Sequence, residues 1–155
     1  MIRILSGSMM ALCLAACASA PSASPATQIL GKWNCTTSAE GMAVAGVFDY
    51  MADGAVKGQA QMDSDVQGMK ASITGDIEAT WEFLADGRLK ETITALTVKS
   101  AKMGGQVAPP AMIPTMIQPM VNQSVVNQTS TSTAVFTADT FTSTDDEGVV
   151  TSCKR

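Results

Sequence analysis

Hydrophobic and polar residues alternate on either side of two Asp-Gly pairs in this 155-residue chain. Residues 50–56 (YMADGAV) and 83–89 (FLADGRL) share one local pattern. Asp-Gly between apolar runs is the strongest short signal for a β-hairpin. The alternation therefore predicts two hairpins, each turning through a three-residue Ala-Asp-Gly loop with its glycine in the left-handed conformation. In this interpretation Asp53 and Asp86 are structural turn residues.

The loop length decides the register of the first hairpin. With three loop residues, one face carries only apolar or small side chains, and the other places Asp49 opposite Lys57. A two-residue loop would shift the pairing by one residue and mix the two faces. The predicted inner-face pairs are Tyr50 with Val56, Phe48 with Gly58, Gly46 with Ala60, and Val44 with Met62.

The pattern of the second hairpin also favours a three-residue loop. Glu82 meets Lys90 on the outer face, at the position equivalent to the first acid–lysine pair. The predicted inner-face pairs are Phe83 with Leu89, Trp81 with Glu91, Ala79 with Ile93, and Ile77 with Ala95. Between the hairpins, residues 64–75 stay ambiguous, because they alternate as a strand would but contain the glycine and aspartates of a loose connection.

Residues 104–128 depart from the strand pattern. Met112, Met116 and Met120 recur every four residues, which predicts an amphipathic helix inserted at about 110–127. Pro114 suits its first turn, and Pro119 should kink or restart it.

Strand patterns return at residues 129–137, 140–144 and 149–154, with a turn at 146–148. About eight or nine strands and one inserted helix predict an all-β fold. We expect a small antiparallel, up-and-down β-barrel over residues 29–155, with sequential strands mostly adjacent.

The first and last predicted strands resemble a known family. Gly31-Lys32-Trp33, together with the basic residue Arg155, is similar to the signature of the lipocalin/calycin superfamily. The resemblance implies a lipocalin-like barrel in which Trp33 closes the floor and Arg155 packs over it. Typical lipocalins carry their helix after the last barrel strand, so this chain looks more like the bacterial periplasmic lipocalin-like domains.

The first 17 residues resemble the signal of bacterial lipoproteins. Arg3 precedes an apolar run that is too short to span a bilayer and ends in the lipobox Leu14-Ala15-Ala16-Cys17. The resemblance implies removal of residues 1–16 and attachment to the membrane through acylated Cys17. With no aspartate after the cysteine, it implies sorting to the outer membrane, facing the periplasm.

Residues 17–28 are rich in Ala, Ser and Pro, which predicts a flexible tether between the lipid and the barrel. The alternative to a lipoprotein is an ordinary signal peptide cleaved near residues 18–20.

Two cysteines remain for pairing if Cys13 leaves with the signal and Cys17 is acylated. In an oxidising compartment, a disulfide between Cys35 and Cys153 is the default, and two free thiols are the alternative. An antiparallel ladder that pairs these cysteines also places Trp33 opposite Arg155. The first and last strands would then be neighbours, and the sheet would close.

The composition excludes several function classes. The chain has no histidine, a net charge of −4, and basic residues scattered without a cluster. Without histidine, the usual general base and metal ligand are missing, and so is the base of Ser-His or Cys-His pairs. Scattered basic residues argue against nucleic acid as a partner. Residues 145–147 lack calcium-loop spacing and are interpreted as a solvated turn. We predict no catalysis, no cofactor and no metal.

Glu91 is the carboxylate that the registers direct into the barrel. Such a group is costly unless it is paired or its pKa rises. One interpretation makes it a ligand-binding group, and the other places it at the rim, near water or a lysine. Small inward residues leave space for a ligand or for the helix; these are Gly46, Gly58, Ala60, Ala79 and Ala95. The predicted ligand-lining residues are Trp33, Phe48, Tyr50, Trp81, Glu91 and Arg155.

Two functions of different class follow. In the first, the barrel binds a hydrophobic or amphipathic small ligand. In the second, the barrel is packed solid and serves as an interaction, inhibitor or envelope-assembly module for a periplasmic protein partner. That partner would face Met112, Met116 and Met120. Copper(I) binding by these thioethers is a less favoured alternative, since methionine also packs adaptably at binding surfaces.

Overall fold

The chain folds into one antiparallel sheet that closes on itself. This computed structural model describes residues 23–66 and 68–155. The predicted signal, the lipobox and Cys17 lie outside the described residues. The strands are β1 (Gly31–Ala39), β2 (Met42–Tyr50), β3 (Ala55–Val66), β4 (Met69–Phe83), β5 (Leu89–Met103), β6 (Gln106–Val107), β7 (Thr129–Phe136), β8 (Thr140–Asp145) and β9 (Val150–Lys154).

Eight of these strands form the ring. Their order is β1, β2, β3, β4, β5, β7, β8 and β9, and β9 pairs back to β1, while the short β6 pairs with β5. The prediction of an all-β, barrel-like fold with an inserted helix is therefore confirmed. The ring is uneven, because β5 pairs with β7 only from Leu89 to Thr92. The rest of that edge of β5 faces the helical insertion.

Both Asp-Gly turns have the predicted three-residue loops. The Met51 N–H donates to the Ala55 carbonyl (2.9 Å), and Gly54 lies at φ +84°. The second loop repeats this arrangement, with Gly87 at φ +83°. Asp53 and Asp86 each accept a hydrogen bond from the backbone N–H two residues later. All of the predicted pairs of the first hairpin are present.

The second hairpin follows the prediction only near its turn. The pairs from Phe83–Leu89 to Ala79–Ile93 are present, but Ile77 lies opposite Leu96 rather than Ala95. A β-bulge between Glu78 and Ala79 shifts the register by one residue. Bulges increase local twist and bend a strand, which suits a sheet that must close. A register extended outward from a turn does not anticipate the extra residue.

The ambiguous segment at 64–75 is strand in β3 up to Val66 and in β4 from Met69. It belongs to a long hairpin between β3 and β4, in which Ser64 pairs with Ala71 and Met62 with Ile73. Gly68, at φ +81°, lies in the turn. The alternation along this segment was therefore a sound signal.

The inserted helix is present and changes its geometry before the second proline. A π-helical segment (Ile113–Ile117), with Pro114 in its first turn, continues as the α-helix α2 (Gln118–Val125). This fits the expected restart at Pro119. Ile117 and Val121 are buried against the sheet.

Regular structure is present before the predicted barrel boundary at residue 29. Pro25–Gln28 form a helical turn, α1, capped by Ser24, within the segment expected to be tether. Carbonyls of this region accept hydrogen bonds from Arg155, and Ile29 is fully buried. These contacts explain why the last part of the segment is held on the ring. No helix in the described part of the chain has the length and apolarity needed to cross a membrane.

Cys35 and Cys153 form the predicted disulfide, with an S–S distance of 2.04 Å. They lie opposite each other in the ladder between β1 and β9. The bond therefore joins the first and last strands of the ring.

Candidate ligand-binding site

Two groups of buried apolar side chains occupy the ring. We call the first the floor cluster; it comprises Ile29, Trp33, Cys35, Tyr50, Val56, Leu89, Phe141 and Cys153. We call the second the helix cluster; it comprises Ala60, Ile77, Leu96, Val98, Ala101, Ala108, Ile117 and Val121. Phe48 packs against both clusters. The interior is thus closed at the floor and covered on one side by the helix.

Trp33 is the centre of the floor cluster. Its indole N–H donates to the Ile29 carbonyl (2.6 Å), and its ring meets Phe141 edge-on at 4.9 Å between centroids. The guanidinium carbon of Arg155 lies 4.0 Å from the centroid of the Trp33 ring. The predicted contact between the first-strand tryptophan and the last-strand cation is therefore present. A cation over an indole face is a favourable electrostatic contact.

Three of the predicted ligand-lining residues do not line the cavity. Trp33 has no exposed surface left for a ligand. Arg155 lies outside the floor, where its guanidinium donates to the Gln28 and Leu30 carbonyls. Trp81 turns its indole N–H to the Met51 carbonyl (3.0 Å) and packs beside Phe83. The aromatic and basic residues at this end were correctly expected to lie together, but they build the floor.

The other three predicted residues, Phe48, Tyr50 and Glu91, line a cavity of about 720 Å³. Binding sites for small molecules commonly have volumes of 300–1,000 Å³. The apolar part of the wall consists of Cys35, Met42, Val44, Phe48, Val56, Met62, Ile77, Ala79, Ile93 and Val125. The polar rim consists of Thr37, Gln128, Thr129, Ser130, Thr131, Asp145, Asp146, Glu147 and Thr151.

Two of the small inward residues do not contribute open space. A Cβ atom added at Gly58 would lie 2.7 Å from the Phe48 ring and closer still to the Val47 carbonyl oxygen. One added at Gly46 would lie 2.9 Å from the same ring and 2.5 Å from the Gln59 carbonyl oxygen. The Phe48 ring therefore lies across both glycines. The expectation that these positions leave room for a ligand is wrong, because a neighbouring side chain already occupies that room.

Glu91 has a specific partner inside the ring. The Tyr50 hydroxyl donates to Glu91 Oε1 at 2.7 Å. The carboxylate is surrounded by protein yet keeps some accessible surface, because it faces the cavity. Within the described residues, neither a lysine nor an arginine pairs with it. Glu91 is thus enclosed by the ring and remains reachable from solvent through the cavity, and no described lysine is the partner that one interpretation allowed.

The environment changes the proton affinity of both groups. Burial raises the pKa of the Glu91 carboxyl, and the hydrogen bond from Tyr50 offsets part of that rise. Burial, followed by the nearby Glu91 carboxylate, raises the pKa of the Tyr50 hydroxyl well above its usual value. Desolvation is therefore the main effect on both groups, as expected for an apolar lumen.

The rim holds the acidic turn between β8 and β9. Asp145 Oδ1 accepts hydrogen bonds from the Glu147 and Val149 N–H groups. The side chain of the residue before the turn therefore stabilises the turn. Arg88 reaches Asp146 at 3.4 Å and Asp86 at 2.8 Å. The Thr37 and Thr151 hydroxyls are hydrogen-bonded to each other across the β1–β9 pair, with 2.6 Å between their oxygens. Sequence reasoning placed this turn correctly but did not predict that it borders the cavity.

The methionine row lies on the outer side of the helix. Met116 and Met120 are 61% and 53% exposed, whereas Met112 is partly buried. The packing face consists instead of Ile113, Ile117, Val121 and Val125. Two apolar faces therefore exist on one helix, one against the lumen wall and one towards solvent.

Gln118 fixes this helix to the sheet. Its side-chain oxygen accepts from the Val98 N–H (2.8 Å), and its side-chain nitrogen donates to the Leu96 carbonyl (2.6 Å). A single amide thus takes the place of a neighbouring strand on the open edge of β5. Sequence reasoning missed this residue, because one amide in an apolar period carries no distinguishing signal.

This arrangement is suited to binding: an apolar enclosure, one internal carboxylate and a polar opening. No protein-family model matches the chain, and no curated protein has a significantly similar sequence. The function must therefore be argued from the cavity itself.

Proposed function

We propose that this protein binds a hydrophobic or amphipathic small molecule in the lumen of its strand ring, without catalysing a reaction. The observation that carries the proposal is the cavity of about 720 Å³ with its apolar wall. Its walls belong to strands joined by backbone ladders and by the Cys35–Cys153 bond, so the site is largely formed before a ligand arrives. Preformed sites lose less free energy on binding than sites that must first be ordered.

Glu91 and Tyr50 give this apolar site its polar anchor. Most small-molecule sites combine an apolar wall with a few polar groups that fix the orientation of the ligand. In the proposed complex the ligand's polar group meets Glu91, and its apolar part lies along Phe48 and the neighbouring aliphatic side chains.

The protein is also proposed to be held in the cell envelope by acylated Cys17. The support is the sequence Leu14-Ala15-Ala16-Cys17 and the short interval between Cys17 and the helical turn at Pro25–Gln28. The residues after the cysteine favour the outer membrane, with the ring on the periplasmic side. A ligand site on such a tether would lie close to the membrane surface.

Native mass spectrometry tests the binding function most directly. The soluble domain, obtained from the Cys17→Ser variant and purified from the periplasm without detergent, should carry extra mass that an organic solvent removes. The extracted molecule would identify the ligand class. A bare polypeptide mass, together with failure to bind any apolar dye, would contradict the proposal.

Replacing Cys17 with Ser tests the anchor. The variant should leave the membrane fraction and appear in the soluble periplasm, because acylation needs the thiol. Replacing Cys13 with Ser is the matched control and should leave the protein at the membrane. A Cys17→Ser protein that stays membrane-bound would contradict the anchor.

A second candidate function rests on the exposed methionines. Met116 and Met120 present adaptable apolar surface on the outer side of the helix, a feature of surfaces that bind protein partners. Crosslinking from this face in intact cells should capture a periplasmic partner if the surface is used. The same crosslinker placed at Gln59, an exposed residue on the outer face of β3 and away from the helix, is the control.

A further inference from the structure

We propose that the ligand of this cavity is a hydrophobic cation: an amphipath whose protonated amine contacts the Glu91 carboxylate while its apolar part fills the lumen. The inference rests on the proposed function, since it names the chemical class of the ligand in that same site.

The first argument concerns hydrogen-bond donors and acceptors. Tyr50 has one hydroxyl proton, and it is already given to Glu91 Oε1 (2.7 Å). No described residue donates to the second carboxylate oxygen, Oε2, and no buried side-chain oxygen in the described residues lacks a partner. Oε2 is therefore open to the cavity. Next to the apolar wall the site offers an acceptor, so the matching ligand group must be a donor.

The second argument concerns charge. The cavity lining includes four carboxylates (Glu91, Asp145, Asp146 and Glu147) and neither a lysine nor an arginine among the described residues. A ligand carboxylate would meet like charge in a poorly solvated space, where repulsion is strongest. An ammonium meets opposite charge and also supplies the missing donors, as a charge-assisted hydrogen bond.

The third argument concerns the approach to the site. The three acidic residues of the β8–β9 turn lie at the rim, and Arg88 is the cation that pairs there, with Asp146. The opening therefore keeps an excess of negative charge, which attracts cations over a distance that salt shortens. Neutral and anionic amphipaths receive no such attraction.

Three probes with one chain length separate the possibilities: dodecylamine, dodecanol and dodecanoate. Each is titrated calorimetrically into the purified protein at neutral pH, below its aggregation concentration, and the stoichiometry is recorded. We expect dodecylamine to bind at one molecule per chain, about tenfold or more tighter than dodecanol. Dodecanoate should bind most weakly, and added salt should weaken dodecylamine most.

Two variants locate the effect. Glu91→Gln keeps the size of the side chain and an oxygen for Tyr50 but removes the charge. It should reduce dodecylamine affinity about tenfold or more and leave dodecanol within about threefold. Glu82→Gln, an acid on the outer face paired with Lys90, is the matched control and should change neither.

The outcomes distinguish this inference from the function on which it rests. If dodecanol or dodecanoate binds as tightly as dodecylamine, or if Glu91→Gln keeps the full preference for the amine, the cation inference is overturned and a lumen ligand stands. If none of the three probes binds, the binding function fails and the inference fails with it. The wild-type comparison of the three probes decides the matter even if Glu91→Gln does not fold.

Discussion

Phe48 shows how a single side chain sets the shape of the lumen. Its ring lies across Gly46 and Gly58, which face it from the same strand and from the neighbouring strand. An aromatic ring that covers strand glycines compensates for the packing that glycine lacks. The two glycines are thus part of the wall, and their missing side chains are the reason the ring fits there.

Gly58→Ala should therefore destabilise the fold. A methyl group at this position would meet both the Val47 carbonyl oxygen and the Phe48 ring, and the strand pair around it has little room to separate. We expect the free energy of unfolding to fall by about 1–3 kcal/mol, as for other overpacked positions. Chemical denaturation of the variant measures this loss.

A substitution on the outer face of the same hairpin provides the control. Ala45→Ser changes an exposed position of β2 and should shift stability by no more than about 0.5 kcal/mol. If Gly58→Ala proves as stable as this control, the close packing of Gly58 against Val47 and Phe48 is incorrect.

Glu91 should make stability depend on pH in a defined direction. Its folded-state pKa is raised by burial, so the folded protein keeps a proton that the unfolded chain releases above about pH 4.3. The stability linked to this group is therefore complete below that pH and is lost as the pH rises through the raised folded pKa.

Glu91→Gln should then unfold at a higher temperature than the natural protein at neutral pH. The difference should shrink as the pH falls towards 4, since the natural side chain is then protonated and uncharged as well. Thermal unfolding followed by circular dichroism across this pH range measures the effect. A difference between the two proteins that does not change with pH would refute the assigned desolvation of Glu91.

At the scale of secondary-structure elements, short turns explain what could be predicted from sequence. A loop of fixed length couples two strands directly, so the faces of both hairpins followed from the positions of Asp53-Gly54 and Asp86-Gly87. The same three-residue geometry recurs at the β8–β9 turn, where Gly148 lies at φ +83°. Local chemistry was sufficient close to the Asp-Gly turns, whereas the turn between β3 and β4 carries no such pair and stays ambiguous in the sequence.

The rest depended on contacts between distant parts of the chain. The bulge between Glu78 and Ala79 suits the curvature of the closed ring, and no local sequence pattern predicts that curvature. The pairing of β5 with β7 is fixed by no tight turn, because the helix intervenes, so Ser130 could not be placed opposite Glu91 beforehand. The cavity opening depends on that pairing, which is why the rim residues were missed.

Gln118 should be the residue that holds the helix on the open edge of β5. Replacing it with Ala removes the partners of the Val98 N–H and the Leu96 carbonyl. Leaving a partly buried polar group without its hydrogen-bond partner lowers the free energy of unfolding by about 1–3 kcal/mol. We expect faster hydrogen exchange at the Val98 amide, because its acceptor is removed, and also at the Val126 amide at the end of the helix, because local opening of the helix becomes easier.

Gln123→Ala is the matched control, since this glutamine is exposed on the same helix. It should leave exchange at Val98 unchanged. Equal exchange in both variants would mean that the apolar face of the helix, rather than the amide of Gln118, holds it in place.

At the scale of the whole molecule, the disulfide and the floor cluster hold the strand ring closed, and the cavity exists because the ring is closed. The Cys35–Cys153 bond connects residues separated by 118 positions. Arg155 adds contacts to the Trp33 ring and the Gln28 carbonyl where β1 and β9 meet. The covalent bond and these contacts together keep β1 beside β9. The lumen can then stay partly empty without collapsing, although an empty apolar space costs packing energy.

Removal of the disulfide should accordingly weaken the whole fold rather than one part of it. The double variant Cys35→Ala/Cys153→Ala lets the unfolded chain explore many more conformations, and disulfides that close long loops contribute about 2–5 kcal/mol. We expect the denaturation midpoint to fall by the corresponding amount, with a single cooperative transition retained. The natural protein under a reducing agent should approach the same midpoint, which controls for the loss of the two sulfur atoms from the floor.

Because the remaining pairs between β1 and β9 and the Arg155–Trp33 contact persist, the variant should still bind an apolar dye in its lumen below the transition. Unchanged stability would show that the ladder and the floor cluster close the ring on their own, whereas dye binding lost before unfolding would show that the covalent bond is what keeps the lumen open.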